Sequence, residues 1–261
     1  MENSLKEKNA LVCGGTHGIG KAIALELARA GANITVLARD QVALDRTLKE
    51  LEHQFGKDHG TIALDMANTG VLAEQMAAFT KAHAIDIVVN NTGGPPPGMA
   101  HESPVDAFEA AFRLHLLAYQ TIARAVVPGM MERGHGRIIN IISTSVKQPL
   151  PNLGVSNTIR GAVANWAKTL ANELGPHGIT VNNVLPGATE TERLAAIIRN
   201  KAAKGGITET EAAHEMMSEI PLRRFAKPEE IAYAVAFLAG PSGAYINGIN
   251  LPVDGGRTAC L

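Results

Sequence analysis

Apolar residues fall in short runs separated by stretches of helical periodicity. Ala10 to Cys13 is one such run; a glycine-rich turn follows, and Ile19, Ile23, Ala24, Leu27 and Ala28 then recur at helical spacing. This predicts strand, turn and helix, with Gly31 closing the helix as an αL cap does. Ile34 to Ala38 opens on β-branched residues and predicts the next strand. The pattern continues with a helix from about Gln41 to His53, a strand at Thr61 to Leu64, a helix near Val71 to Ala82 and a strand at Ile85 to Val89. Ser103 and Pro104 suit the N-cap and first residue of a long helix reaching about Glu132. Strands at Ile138 to Ile142 and Ile179 to Leu185 flank a helix from about Val155 to Leu174, which ends before Pro176. Pro228 opens a helix through Leu238, and a last strand lies around Ile249 to Val253.

Alternation of strand and helix means parallel pairing, and parallel strands covered on both faces read as apolar runs, as Ile85 to Val89 and Ile138 to Ile142 do. The expected architecture is α/β and doubly wound: a seven-stranded parallel sheet with helices on both faces, built as a single domain over residues 1–261. Residues 190–221 depart in composition, rich in Ala, Glu, Lys and Met, with Thr208 and Glu211 spaced as a capping box. Ligands of such sheets bind beyond the carboxyl ends of the strands, so this helical excursion lies where a substrate lid would lie.

Composition narrows the function. Of 261 residues 46% are hydrophobic and only 4% aromatic, which fits an aliphatic, closely packed core. A formal charge of −1 gives no overall field to attract a polyanion, so nucleic-acid binding is not expected. Two cysteines, Cys13 and Cys260, make no disulfide framework and have no metal-type spacing; no metal is expected, and the compartment is expected to be reducing. The stretch from Met1 to Asn9 is charged, without the apolar centre of a signal peptide, and no apolar run approaches the roughly 18 residues of a membrane span. A soluble, cytoplasmic protein without a membrane partner is expected.

The turn Cys13-Gly14-Gly15-Thr16-His17-Gly18-Ile19-Gly20 stands between a predicted strand and a predicted helix. Backbone N–H groups and the positive end of the helix dipole suit a diphosphate there, and glycine permits its close approach. The spacing does not fit G-x-G-x-x-G. Gly15 to Lys21 does fit G-x-x-x-x-G-K, but Ala22 follows, where a phosphate loop needs a hydroxyl on magnesium, so a nucleotide triphosphatase is not expected. The glycines at 14, 18 and 20 instead resemble the T-G-x-x-x-G-x-G turn of the short-chain dehydrogenase/reductase family, with Cys13 for the threonine. Asp65 after the third strand, Asn90-Asn91-Thr92-Gly93 in place of N-N-A-G, Pro186-Gly187 followed by Thr189 and Thr191, and Asp254-Gly255-Gly256 continue the resemblance along essentially the whole chain.

The resemblance implies a Rossmann fold and a dinucleotide cofactor against Gly14, Thr16, His17, Gly18, Ile19 and Gly20, against Asp65 and Met66, against Asn91 and Gly93, and, along the nicotinamide, against Pro186, Gly187, Thr189 and Thr191. An acidic residue that would hold a free ribose 2′-hydroxyl is absent from its slot, Ala38; Arg39 follows and offers a planar fork to a 2′-phosphate, with His17 as a second donor, so NADP(H) is expected.

The family's Y-x-x-x-K signature is missing: the residues four positions after Tyr119, Tyr233 and Tyr245 are Ala123, Phe237 and Ile249. With Ser143 on the family serine, the tyrosine slot falls on Ser156 and the lysine slot on Arg160, and His115 stands where the family has an asparagine. A serine hydroxyl is a far weaker acid than a tyrosine, and a guanidinium holds ribose hydroxyls or a developing oxyanion without transferring a proton. His115, with an ordinary pKa near 6.5, is the first choice of proton donor, and Lys147 the second. The segments Gly93 to Gly98 and Gln148 to Asn152, rich in proline, are expected to be stiff walls.

The expected function is NADP(H)-dependent reduction of a ketone or 3-oxoacyl-type carbonyl by hydride transfer, because the chain most resembles the 3-oxoacyl-carrier-protein reductase branch. The alternative is a catalytically silent dinucleotide-binding homologue acting as a sensor or partner-binding protein. The helices 103–132 and 155–174 are apolar on more than one face; in the family they pair between subunits, so a homo-oligomer, dimer or tetramer, is expected.

Overall fold

The computed structural model describes residues 4–56 and 58–260; the first three residues of the charged N-terminal stretch lie outside the described residues. Strands β1 (Asn9–Cys13), β2 (Asn33–Ala38), β3 (Gly60–Ala63), β4 (Ile87–Asn90), β5 (Gly136–Ile141), β6 (Ile179–Pro186) and β7 (Asn250–Val253) form one sheet in the order β3-β2-β1-β4-β5-β6-β7. Every pairing is parallel. Strand order reverses between β1 and β4, so the crevice beyond their carboxyl ends is where such a sheet takes a ligand. β4 and β5 are buried at every position because both sheet faces are covered.

On one face, α1 (Gly18–Arg29) packs against α9 (Pro228–Ala239), with α2 (Gln41–Phe55) beside α1. Alanines at 24, 28, 232 and 236 let these helices approach one another. On the other face α3 (Thr69–Ala82), α5 (Ala118–Arg133) and α6 (Gly154–Leu174) bury Leu72, Met76, Ile122, Val126, Val163 and Ala167. Residues 190–221 supply α7 (Glu192–Gly205) and α8 (Glu209–Ser218), and the capping box at Thr208 and Glu211 forms as its spacing predicts.

The long helix expected from Ser103 to Glu132 is interrupted. α4 (Val105–Phe112) and α5 are joined by a π-helical turn at Arg113–Leu117. Pro104 is the N-cap rather than the first helical residue, because the Ser103 hydroxyl turns back to donate to the Met99 carbonyl at 2.8 Å. π-turns gather at functional sites, and this one carries His115.

A row of asparagines ties the strand ends together. Asn90, Asn140, Asn183 and Asn250 are partners in register on β4 to β7. Each amide donates to the next: Asn90 to Asn140, Asn140 to Asn183 and Asn183 to Asn250, all at 2.8 Å. Such polar groups are tolerable in a buried sheet only when paired, so the row fixes the register of the strands that deliver the site.

Candidate functional site

The glycine turn leaves β1 at Gly14, whose N–H donates to the Leu37 carbonyl at 2.7 Å while its own carbonyl accepts from the Asn91 amide at 3.2 Å. Gly14 and Gly18 have φ of +59° and +50°, a region that L side chains avoid. A Cβ on Gly20 would lie 2.1 Å from the Gly14 carbonyl oxygen and 2.6 Å from the Asn91 amide, so the turn closes only with glycine there. α1 then begins with His17 at its N-cap, no capping side chain and no acidic residue in its first turn, leaving its positive end to an anion. Thr191, at the N-cap of α7, brings its methyl over the turn: a Cβ on Gly18 would be 3.1 Å from it.

Arg39 is exposed directly after β2, beside Ala38, and has no ion-pair partner among the described residues; His17 is also exposed, with Nδ1 3.0 Å from the Thr16 hydroxyl. Asp65 is exposed, Met66 buries its side chain in the core, and Gly93 has open space around it. Gly187 is fixed by donation to the Val253 carbonyl at 3.0 Å, and Thr189 and Thr191 bond back to the carbonyls of Gly187 and Thr189. The cradle of glycine amides, open helix N-terminus and uncompensated arginine therefore fits a phosphorylated dinucleotide.

Beyond the carboxyl end of β5, the Ser143 hydroxyl accepts from the Ser145 N–H at 3.1 Å and caps a short 3-10 turn. Ser156 lies in the first turn of α6 and is 7% exposed, with no hydrogen-bond partner among the described residues. One turn later Arg160 is buried and aims inward: its Nη1 donates to the Ile141 carbonyl at 2.9 Å, and its guanidinium lies beside the Tyr119 phenol. Tyr119 in turn lies 3.1 Å from the Thr92 hydroxyl, which is 2.5 Å from His115 Nδ1. A hydrogen-bonded run thus joins Tyr119, Thr92 and His115 beside the buried Arg160.

Electrostatics corrects one expectation. His115 is fully buried, and burial together with the guanidinium groups of Arg160 and Arg193 pushes its imidazole down to about 2. It is a neutral hydrogen-bonding ring, not a proton donor near pH 7, and its Nε2 is buried without a hydrogen-bond partner among the described residues. The Tyr119 phenol is raised by burial, and the Cys13 thiol is pushed up to about 12 for the same reason. Arg160 is lowered by burial and stays cationic. Its inward path to Ile141 and Tyr119 directs it to the protein interior rather than to an open cofactor face.

The two proline-bearing segments are knitted together. Gly98 donates to the Asn152 carbonyl at 2.9 Å and accepts from Gly154 at 2.9 Å. α7 reaches the same wall: Arg193 Nη1 donates to the Gly94 carbonyl at 2.9 Å and Nη2 to that of Pro95 at 3.4 Å. Among the described residues no three His, Cys, Asp or Glu side chains gather as metal ligands. No helix among them is long and apolar enough to cross a membrane.

Of the residues singled out in the sequence, His115 and Arg160 act on each other through charge, Ser143 follows β5 and Ser156 precedes Arg160 by one turn of α6; Thr92, Tyr119 and Arg193 were not assigned to the site. A signal existed for one of them: His115 and Tyr119 are four apart on a helical run and so share a face.

A family model described as enoyl-(acyl carrier protein) reductase matches residues 14–258. The chain is 30% identical over 259 residues to the NADPH-dependent reductase BacG of Bacillus subtilis, covering 97% of this chain and 98% of that one. It is 32% identical over 256 residues to the 3-oxoacyl-(acyl-carrier-protein) reductase FabG of Vibrio cholerae, covering 97% and 98%. The solved structure of L-sorbose reductase from Gluconobacter frateurii, complexed with NADPH and L-sorbose, is similar over 100% of both chains, with a TM-score of 0.94 at 30% identity.

Proposed function

Because the chain belongs to the short-chain dehydrogenase/reductase family, we propose that it is an NADP(H)-dependent oxidoreductase that reduces a ketone or 3-oxoacyl-type carbonyl at a rebuilt active site. The observation that carries the reading is the glycine cradle under Thr191, together with an unpaired Arg39 where a carboxylate would repel a 2′-phosphate. When bound, NADPH supplies the hydride.

The protein's own part is to hold the carbonyl and govern the proton. Ser143 and Ser156 present hydroxyls from the end of β5 and the start of α6 and would bind the carbonyl oxygen between them. Arg160, kept charged one turn below Ser156, favours negative charge building on that oxygen through its field rather than by contact. In the register set by Ser143, Ser156 and Arg160 replace the family's tyrosine and lysine, burial disfavours the charged forms of His115, Tyr119 and Cys13, and Arg160 stays cationic. We assign the proton to solvent water beside Ser156, with Lys147, at the end of the short turn that Ser143 caps, as the side-chain alternative. Forgoing a positioned acid lowers turnover by roughly 10²- to 10⁴-fold against a family member that has one.

The test follows NADPH absorbance with ketones, 3-oxoacyl thioesters and quinones, after calorimetric titration with NADPH and NADH. Binding of NADPH about tenfold tighter than NADH, and slow oxidation with a kcat independent of pH from about 5.5 to 8, are expected. A break in kcat near pH 6.5 would return the proton to His115. Tight NADPH binding without oxidation, even in the double variant Ser156→Tyr/Arg160→Lys, would favour the silent homologue. The same reading includes a homo-oligomer, supported by Val105, Phe112, Leu117 and Met131, which expose apolar surface along α4, the π-helical turn and α5; light scattering measures its mass.

A further inference from the structure

The site contains positive charge that reduction of a neutral ketone does not require. Arg160 is buried with only neutral partners, the Ile141 carbonyl and the Tyr119 hydroxyl. Arg193 spends its guanidinium on the carbonyls of Gly94 and Pro95 and forms no ion pair among the described residues. Gly94 lies two residues beyond Thr92, the hydroxyl that holds His115, and the exposed Arg193 head is near enough for its charge to act on that imidazole. A Cβ on Gly94 would meet that guanidinium at 2.7 Å, so glycine there makes room for the cation. His115 adds a fully buried Nε2 without a partner. Among the described residues no carboxylate forms an ion pair with Arg160 or Arg193, and the Arg160 charge adds to burial in lowering Arg193.

Building on the proposed reduction, we infer that the substrate carries a carboxylate, an oxo acid rather than a neutral ketone, and that Arg193 on the lid helix is the residue that binds it. Backbone carbonyls are weak partners for a guanidinium. A carboxylate offers two charge-assisted bonds in its fork geometry, so exchanging Gly94 and Pro95 for the substrate is favourable. Arg160 adds its field from below but is too buried to touch the acid. The competing anion is the cofactor diphosphate, since Arg193 follows Thr191, which overlies the glycine turn. The bonds of Arg193 lead instead to the wall loop, which is joined through Gly98 to Asn152 and Gly154 beside Ser156.

The test compares acetoacetate with ethyl acetoacetate in the wild type, Arg193→Gln and Arg193→Lys, together with NADPH affinity and calorimetric titration of succinate into the NADPH-loaded protein. The wild type is expected to favour the acid, and Arg193→Gln to shrink the acid-to-ester ratio of kcat/KM roughly ten- to thirtyfold, mainly through KM for the acid. Arg193→Lys restores part of the ratio, and succinate binding is lost in Arg193→Gln. A wild type that prefers the ester, or a ratio untouched in Arg193→Gln while NADPH affinity falls, overturns the inference and assigns Arg193 to the cofactor. If neither ketone is reduced, the reductase reading fails by itself. Succinate bound by wild type and not by Arg193→Gln would still support the carboxylate site, and succinate bound by neither would sink it.

Discussion

The neutral state of His115 makes a measurable demand on folding. In the unfolded chain the imidazole titrates near its ordinary value of about 6.5, whereas burial and two guanidinium groups hold the native group at about 2. A native pKa depressed below the unfolded one means that, as pH falls below about 6.5, the unfolded chain takes up a proton that the folded chain refuses. The associated stability is present above about 6.5 and is lost progressively toward about 2, at about 1.4 kcal/mol per pH unit in the middle of that window. Between pH 7 and 4.5 the loss from this one residue is about 2.5 kcal/mol. Burial is the largest cause, followed by the charges of Arg160 on α6 and Arg193 on α7; Thr92 after β4 and Tyr119 on α5 are the polar groups that face the ring. Urea unfolding of wild type and His115→Asn across this range isolates it, because His59 and His135, also lowered chiefly by burial, contribute equally to both proteins. The difference in stability between the two proteins should shift by about 2.5 kcal/mol in favour of the variant as pH falls from 7 to 4.5. Parallel curves would refute the buried neutral imidazole, and with it the argument that the proton comes from elsewhere.

The asparagine row and the glycine turn give two further expectations. Asn140→Ala removes the middle of the row and leaves the Asn90 amide and the Asn183 carbonyl group buried without each other's link, costing about 2–5 kcal/mol and lowering Tm by several degrees; Asn250→Ala, at the half-buried end, should cost about 1 kcal/mol, and equal losses in denaturant titrations would refute the row as a unit. Gly20→Ala, which would stabilise an ordinary helix interior by about 1 kcal/mol, should instead weaken NADPH binding by about 100-fold or more in calorimetry, because its methyl would sit 2.1 Å from the Gly14 carbonyl oxygen.

Much of the fold was legible because its signals are local. Apolar runs such as Ile179 to Leu185 bounded by turn residues gave the strands, and the Thr208 and Glu211 spacing gave the start of α8. The interruption of the helix at Arg113–Leu117 left no such mark, since Leu114, His115, Leu116 and Leu117 suit an α-helix equally well and only the packing around His115 selects the wider turn. The cofactor cradle could be read because glycine is demanded there by backbone geometry, which spacing records. Arg193 could not, because its bonds to Gly94 and Pro95 join residues 99 and 98 positions apart, and a backbone carbonyl carries no identity in the sequence.

His115 shows why a residue type and a plausible position do not define a role. The same imidazole that would titrate usefully on a wet helix face is, at a fully buried position beside Arg160 and Arg193, unable to hold a proton. Burial is the first cause, and the positive charge that adds to it is, in the proposed function, also what stabilises an oxyanion and recruits a carboxylate. Electrophilic stabilisation and side-chain proton donation are therefore in conflict within this pocket: each guanidinium that strengthens the first weakens any neighbouring base's hold on a proton. In the proposed function such a site takes its proton from water and a substrate that brings its own negative charge, which links the buried neutral histidine, the inward-turned Arg160 and Arg193 on α7.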